Sequence, residues 1–296
     1  MLIDNYLTFE IMPTFTASSI RTILTCIVTL FGLIGWPLAH SADKNSALRL
    51  LVVPQFPATE IHATWSKLLD GLQIDGLPPI ELVFAKDITE FENQFKAGQA
   101  ELIYCNPYHM VMAKKAQGYI PLVRDSKPLT GILIASTDSE TGGIKTLSDL
   151  NGKTLLFPSP NAFGASLYMR ALLKREKGLE FTTKYVKTHS NVIRGVVRGE
   201  GQAGGMVNAT LLAETPELQQ RIKVIYETPP APPHPIAAHP RVDPGTREAI
   251  TAAILGHIKT HKQVGEDIQI PNPVRADYAK DYKPLENLGL EAFLSN

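Results

Sequence analysis

The sequence predicts an α/β protein of two lobes joined by two chain crossings. Three observations predict it. Strand-like apolar runs alternate with helix-length segments from Leu48 to Gln117, and the same alternation resumes from Lys153 to Tyr226. Between Thr228 and Pro240 the chain turns proline-rich, which suits a return crossing between lobes better than a strand inside a sheet. At 296 residues there is enough chain for two α/β cores. Apolar content is 44% and charged content 20%, with 29 basic and 29 acidic residues, so the formal net charge is zero. That balance gives no electrostatic footprint for nucleic acid, and no nucleic-acid partner is expected.

The first residues read as an export leader. Arg21 supplies the positive charge, Ile23 to Leu38 is an apolar run, and Ala39-His40-Ser41-Ala42 offers a small residue at the −3 position for cleavage after Ser41. Residues 1–41 are therefore expected to leave the mature protein, which would act in the periplasm. Of the two cysteines, Cys26 leaves with the leader and Cys105 stays, so no disulfide is expected.

The elements follow in order. Leu48 to Val53 is a strand ended by Pro54, and Thr59 is placed to cap a helix reaching Asp70. Glu81 to Phe84 is the second strand, with Asp87 to Ala97 the second helix. Leu102 to Cys105 is the third strand, and Asn106-Pro107 opens a helix to Gln117 with proline where its missing N–H costs nothing. Gly131 to Ser136 leaves this lobe as a strand. Thr146 to Leu150 is a helical turn, Lys153 to Phe157 a strand, and Phe163 to Lys177 a helix. Phe181 to Val186 is a strand, and Ser190 or Asn191 caps a helix ending at Arg198. Ala203 to Val207 is a buried strand, Asn208 opens a helix, and Arg221 to Tyr226 closes the lobe. A helix from Pro244 to His261 and a turn-rich tail from Pro271 return to the first lobe. The expected division is 48–130 plus 232–296 for lobe one and 131–231 for lobe two.

In parallel α/β sheets, ligands sit where strands end and helices begin, because helix N-termini offer free N–H donors and partial positive charge. Three joints have that character: Cys105-Asn106-Pro107-Tyr108, Asn161 to Ser166, and Thr188-His189-Ser190-Asn191. Asn208 opens a fourth helix after a strand. The candidate ligand-binding residues are Cys105, Asn106 and Tyr108 from lobe one, with Asn161, Ser166, His189, Ser190 and Asn208 from lobe two.

Cys105-Asn106-Pro107-Tyr108-His109, followed by Gly118-Tyr119-Ile120-Pro121-Leu122-Val123-Arg124, resembles the phosphate/phosphite/phosphonate-type periplasmic binding proteins. So do Asp149-Leu150-Asn151-Gly152-Lys153 with Pro158 to Phe163, and the segments Thr188-His189-Ser190 and Pro233-His234-Pro235. The resemblance covers about residues 48–260. It implies a type II periplasmic-binding fold that closes on a small oxyanion between its lobes, with an ABC permease as partner and no cofactor or catalysis. Two departures stand out. Such proteins usually carry a hydroxyl cluster where this chain has Ala162-Phe163-Gly164-Ala165, with only Ser166 near, and an acid where it has Ser190.

The third departure is Cys105. A thiol between a strand end and a helix start is placed for thiolate stabilisation, and arsenic(III) bonds thiolate sulfur. The sequence is similar in this to the arsenite-binding branch of the family, which presents its ligand to a membrane sensor kinase. The leading expectation is thus arsenite on Cys105, with a sensor kinase as partner; the alternative is phosphite, phosphate or phosphonate delivered to a permease. A buried packing thiol is the third outcome.

Other matches carry less. Gly199-Glu200-Gly201-Gln202-Ala203-Gly204 fits a dinucleotide pattern but follows a helix and enters a strand, the reverse of what that motif needs. His257 and His261 share a helix face without a third metal ligand. Cys105 and His109 lack the orienting acid of a nucleophilic pair, so no enzyme is expected.

Overall fold

A computed structural model describes residues 47–72, 78–138 and 143–294. The expected leader lies outside the described residues. Two mixed sheets with helices on their faces build the two lobes.

In the first lobe, β1 (Leu48–Val52) leads into α1 (Ala58–Gly71), β2 (Ile80–Val83) into α2 (Ile88–Lys96), and β3 (Leu102–Tyr104) into α3 (Pro107–Gln117), followed by β4 (Ile120–Asp125). Asp87 caps α2 by accepting from the Glu90 N–H, and Asn106 caps α3 by accepting from the His109 N–H at 2.7 Å. The expected cap of α1 differs: Pro57 holds the N-cap position and Thr59 lies inside the helix. The pre-set φ of proline aligns the entry there without a side-chain bond.

Gly131–Ser136 forms β5 and begins the second lobe. β6 (Thr154–Phe157) follows, then a continuous helical run whose α-helical centre, α4 (Tyr168–Ala171), is flanked by π turns at Phe163–Leu167 and Leu172–Glu176. β7 (Thr182–Tyr185), α5 (His189–Val197), β8 (Ala203–Val207), α6 (Asn208–Leu212), α7 (Pro216–Gln220) and β9 (Ile222–Glu227) complete it. Thr188, not Ser190 or Asn191, caps α5: its hydroxyl accepts from the Asn191 N–H at 3.1 Å. The chain then returns through β10 (Pro235–Ala238), α8 (Pro244–Thr260), α9 (Lys262–Asp267) and β11 (Pro273–Arg275).

The first sheet runs β11-β4-β10-β3-β1-β2 and the second β7-β6-β8-β5-β9. One expectation fails here. The proline-rich segment does supply a mid-sheet strand, since β10 lies between β4 and β3 and is antiparallel to both. The reason is local. Pro235 stands at the first position of the strand, Ile236, Ala237 and Ala238 keep their N–H groups, and a register shift at Ile236/Ala237 absorbs the irregularity. Where the chain crosses between lobes, Leu129 and Ala231 exchange backbone hydrogen bonds at 2.8 and 2.9 Å, so the two crossings run as a short paired ribbon.

The largest apolar core lies on the first sheet, and it takes in Ala162, Phe163, Ala165 and Val207 from the second lobe. The second sheet buries separate clusters on its two faces. Glycines bring the Phe163 turn onto that sheet: a Cβ at Gly205 would overlap the Ala165 carbonyl oxygen, and one at Gly131 the Gly164 carbonyl oxygen. Backbone thus packs directly on backbone beside the interlobe contact.

Candidate functional site

Four strand-to-helix joints meet where the lobes face each other. They are Val53–Gln55 after β1, Asn106 after β3, Ala162–Ala165 after β6, and His189 at the start of α5; Val207 and His234 close the ring. Together they line a pocket of about 10 Å³, about the room one water needs, so no organic substituent fits inside it. Among its described lining residues there is no Lys, Arg, Asp or Glu. The polar groups are the amides of Gln55 and Asn106, the imidazoles of His189 and His234, and the backbone N–H groups opening the Phe163 turn, which have no partner within their own turn.

Both histidines are neutral at pH 7. Burial pushes each imidazole down to about 3, and for His234 the neighbouring His189 and His109 add to the effect. The proton on His189 can be placed. Nδ1 lies 3.0 Å from Thr210 Oγ1, and that hydroxyl donates to the Val207 carbonyl at 2.8 Å. With its only proton so used, the hydroxyl must accept, and Nδ1 must carry the imidazole hydrogen. Nε2 is left as an acceptor.

A buried hydrogen-bond cluster ties the lobes together beside this pocket. Glu92 on α2 is central: it takes His109 Nε2 at 3.1 Å, Asn161 Nδ2 at 3.2 Å and Lys96 at 2.9 Å. Asn106 Nδ2 in turn donates to the Asn161 carbonyl at 3.2 Å, and the His189 N–H donates to the Gln55 carbonyl at 3.3 Å. Burial would raise the Glu92 carboxyl, but bonds from His109, Lys96 and Asn161 outweigh it and hold the group at about 2. The carboxylate is therefore ionised at neutral pH and can accept from every donor around it.

The family described as "ABC transporter, phosphonate, periplasmic substrate-binding protein" matches residues 50–282. The chain belongs to this family. Among solved structures, PhnD1 of Prochlorococcus marinus (MIT 9301) in complex with methylphosphonate is similar at 18% identity, over 83% of this chain and 98% of that one, with a TM-score of 0.70. A binding-protein component of a Pseudomonas aeruginosa ABC phosphonate transporter is similar at 15% identity, over 82% and 85%, with a TM-score of 0.72. A Xanthomonas citri protein bound to ATP is similar at 13% identity, over 84% and 100%, with a TM-score of 0.65. These likenesses place the chain in the type II periplasmic-binding fold.

The sequence-predicted residues are distributed unevenly about this pocket. Asn106 and His189 line the pocket, and Asn161 sits beside it in the Glu92 cluster. Tyr108 stacks on Phe163 at 6.4 Å and donates to Glu291 at 3.0 Å, which joins α3 to the tail rather than to the pocket. Ser166 is fully buried, and its hydroxyl accepts from Arg170 Nε at 3.1 Å. Ser190 is buried in the first turn of α5 and does not line the pocket. Asn208 exchanges hydrogen bonds with Thr130 at the crossing and borders a second, larger cavity.

Cys105 is fully buried in the first-lobe core, and its N–H donates to the Pro235 carbonyl at 3.2 Å. The expected thiolate is not what this position favours, because burial pushes the thiol well above its ordinary value. Sequence reasoning missed Gln55 as a pocket residue, although Val53-Pro54-Gln55 is a strand-to-helix joint of the same kind as those it chose. It also missed Glu92, which carries no motif and meets the site through contacts 17 and 69 residues away.

Proposed function

We propose that this chain is the substrate-binding component of an importer for a compact oxyanion of phosphorus that carries at least one hydroxyl. The observation that carries this is the hydrogen-bond polarity of the pocket. N–H donors of the Phe163 turn and of the Gln55 amide are available to a ligand's unprotonated oxygens. The bare Nε2 of His189 needs a donor, which a monoprotonated phosphite or phosphonate supplies and a fully ionised one does not. Neutral dipoles held in place by the fold bind such an anion without a cationic side chain. Closure follows because the ligand touches both lobes at once, with Gln55 and Asn106 on one side and His189 and Ala162–Ala165 on the other.

Arsenite held by Cys105, with a sensor kinase as the partner, is the competing reading, and burial of the thiol weighs against it. One experiment separates the two. The processed protein and its Cys105→Ser variant are titrated by calorimetry with phosphite, methylphosphonate, phosphate and arsenite. The oxyanion reading expects a phosphorus ligand to bind both proteins alike, with affinity falling as pH is raised through that ligand's last ionisation. Binding of arsenite that disappears in Cys105→Ser, with no response to the phosphorus ligands, overturns it.

A further inference from the structure

The compact pocket does not stand alone. Val53, Gln55, Val207 and His234 line it on one side and on the other border a cavity of about 600 Å³ between α1 and α9 of the first lobe and α6 of the second. The two spaces therefore share those four residues as a common wall. The small one has no room for an organic substituent, so a substituent on a head group held there has to lie beyond the shared wall.

The walls of the large cavity have a chemistry of their own. Trp65 and Tyr104 lie 4.7 Å apart between ring centroids, and Tyr104 stacks on His234 at 5.5 Å, so three rings run from the shared wall into the cavity. Phe56 and Ile61 extend this apolar face, while Glu60, Asp125, Lys127, Glu266 and Asp267 line other parts of the cavity. Opposite, Ala209 leaves room, and Leu212 at the lip is 76% exposed. Inorganic phosphite or phosphate would use none of this surface.

We infer that the cavity is a substituent site, and that the ligand class is a phosphonate whose carbon substituent carries a ring or comparable apolar group lying against Trp65, Tyr104 and His234. This inference rests on the oxyanion reading of the head pocket. The apolar area covered by one ring, together with ring-on-ring contact, is what separates such a ligand from the inorganic ion.

The test titrates the processed protein with phosphite, methylphosphonate and phenylphosphonate. In a chain beginning at Ala42, Trp65 is the only tryptophan, so its fluorescence reports this cavity directly. Phenylphosphonate is expected to bind about tenfold more tightly than methylphosphonate and to change Trp65 emission where phosphite does not. Ala209→Phe fills the cavity from α6, and Thr64→Phe fills it from α1 should the first variant fold poorly. Either is expected to remove the advantage of phenylphosphonate while methylphosphonate binds within about twofold of wild type. Equal affinity for methylphosphonate and phenylphosphonate, or an advantage that survives both cavity-filling variants, overturns the substituent site and leaves the oxyanion receptor standing. Failure of all three phosphorus ligands instead overturns the receptor reading on which the inference rests.

Discussion

At the scale of single residues, two effects compete at Cys105. Its position before a helix N-terminus lowers a thiol's pKa, while removal from water raises it. Desolvation wins because the side chain is fully enclosed by the first-lobe core. Cys105→Ser is therefore expected to act on stability. A hydroxyl placed there needs a partner that a thiol does not, at a cost of roughly 1–3 kcal/mol. Thermal unfolding of the variant should show a lower midpoint, with oxyanion affinity unchanged in parallel titrations. An unshifted midpoint together with lost ligand binding would assign the sulfur to the ligand instead. His189 shows the complementary case. The sequence marks a histidine at a helix start, and the Thr210 hydroxyl beside it decides which nitrogen carries the hydrogen.

At the scale of elements, the site depends on how closely two pieces of backbone approach and on one carboxylate shared between lobes. Gly205 in β8 lets the Ala165 carbonyl rest on the sheet, and the alanine methyl would collide with backbone that cannot rotate away. Gly205→Ala should displace the Phe163 turn and weaken ligand binding by about tenfold or more. Binding at wild-type strength would show that the turn does not position the ligand. The Glu92 cluster is the second device. Asn161→Asp sets a second carboxylate against the ionised Glu92 inside a buried contact, where like charges repel strongly. Affinity at pH 7 is expected to drop by about tenfold or more and to recover in part near pH 5, as the introduced acid takes up a proton. A pH-independent loss would point to a steric effect in place of charge.

At the scale of the whole molecule, the two neutral histidines set a pH dependence of folding. In the unfolded chain each has a pKa near 6.5, and in the folded protein each lies at about 3. Between those values the unfolded state binds more protons, so stability is fully present above about pH 6.5 and is lost as pH falls toward 3. Each site contributes a slope of up to about 1.4 kcal/mol per pH unit across that window. Glu92, ordinarily near 4.5 and here at about 2, adds a further loss only below about pH 4.5. Calorimetric melts at pH 7.5, 6.0 and 5.0 should show a falling midpoint before any carboxylate titrates. A flat midpoint over that range would mean that one or both imidazoles are already solvated in the folded protein.

The sequence by itself determined the two-lobed α/β fold, because alternating apolar runs and helix-length segments are local signals written in consecutive residues. It pointed to joints that line the interlobe pocket for the same reason: Asn106-Pro107 and His189 open helices after strands, and such joints share one end of a parallel sheet. Tertiary structure decided which joints converge and which polar groups remain free once they do. Ser166 lost its hydroxyl to Arg170, Asn208 turned to the crossing, and Cys105 sank into the core. Gln55, His234 and Glu92 gained their places through partners far along the chain. The placement of β10 belongs to the same class. Composition forecast an unpaired crossing, yet the three residues after Pro235 keep their donors, and two neighbouring strands bond to them. Pairing and burial are long-range properties, and a residue's own chemistry does not say which neighbour will claim its hydrogen bond.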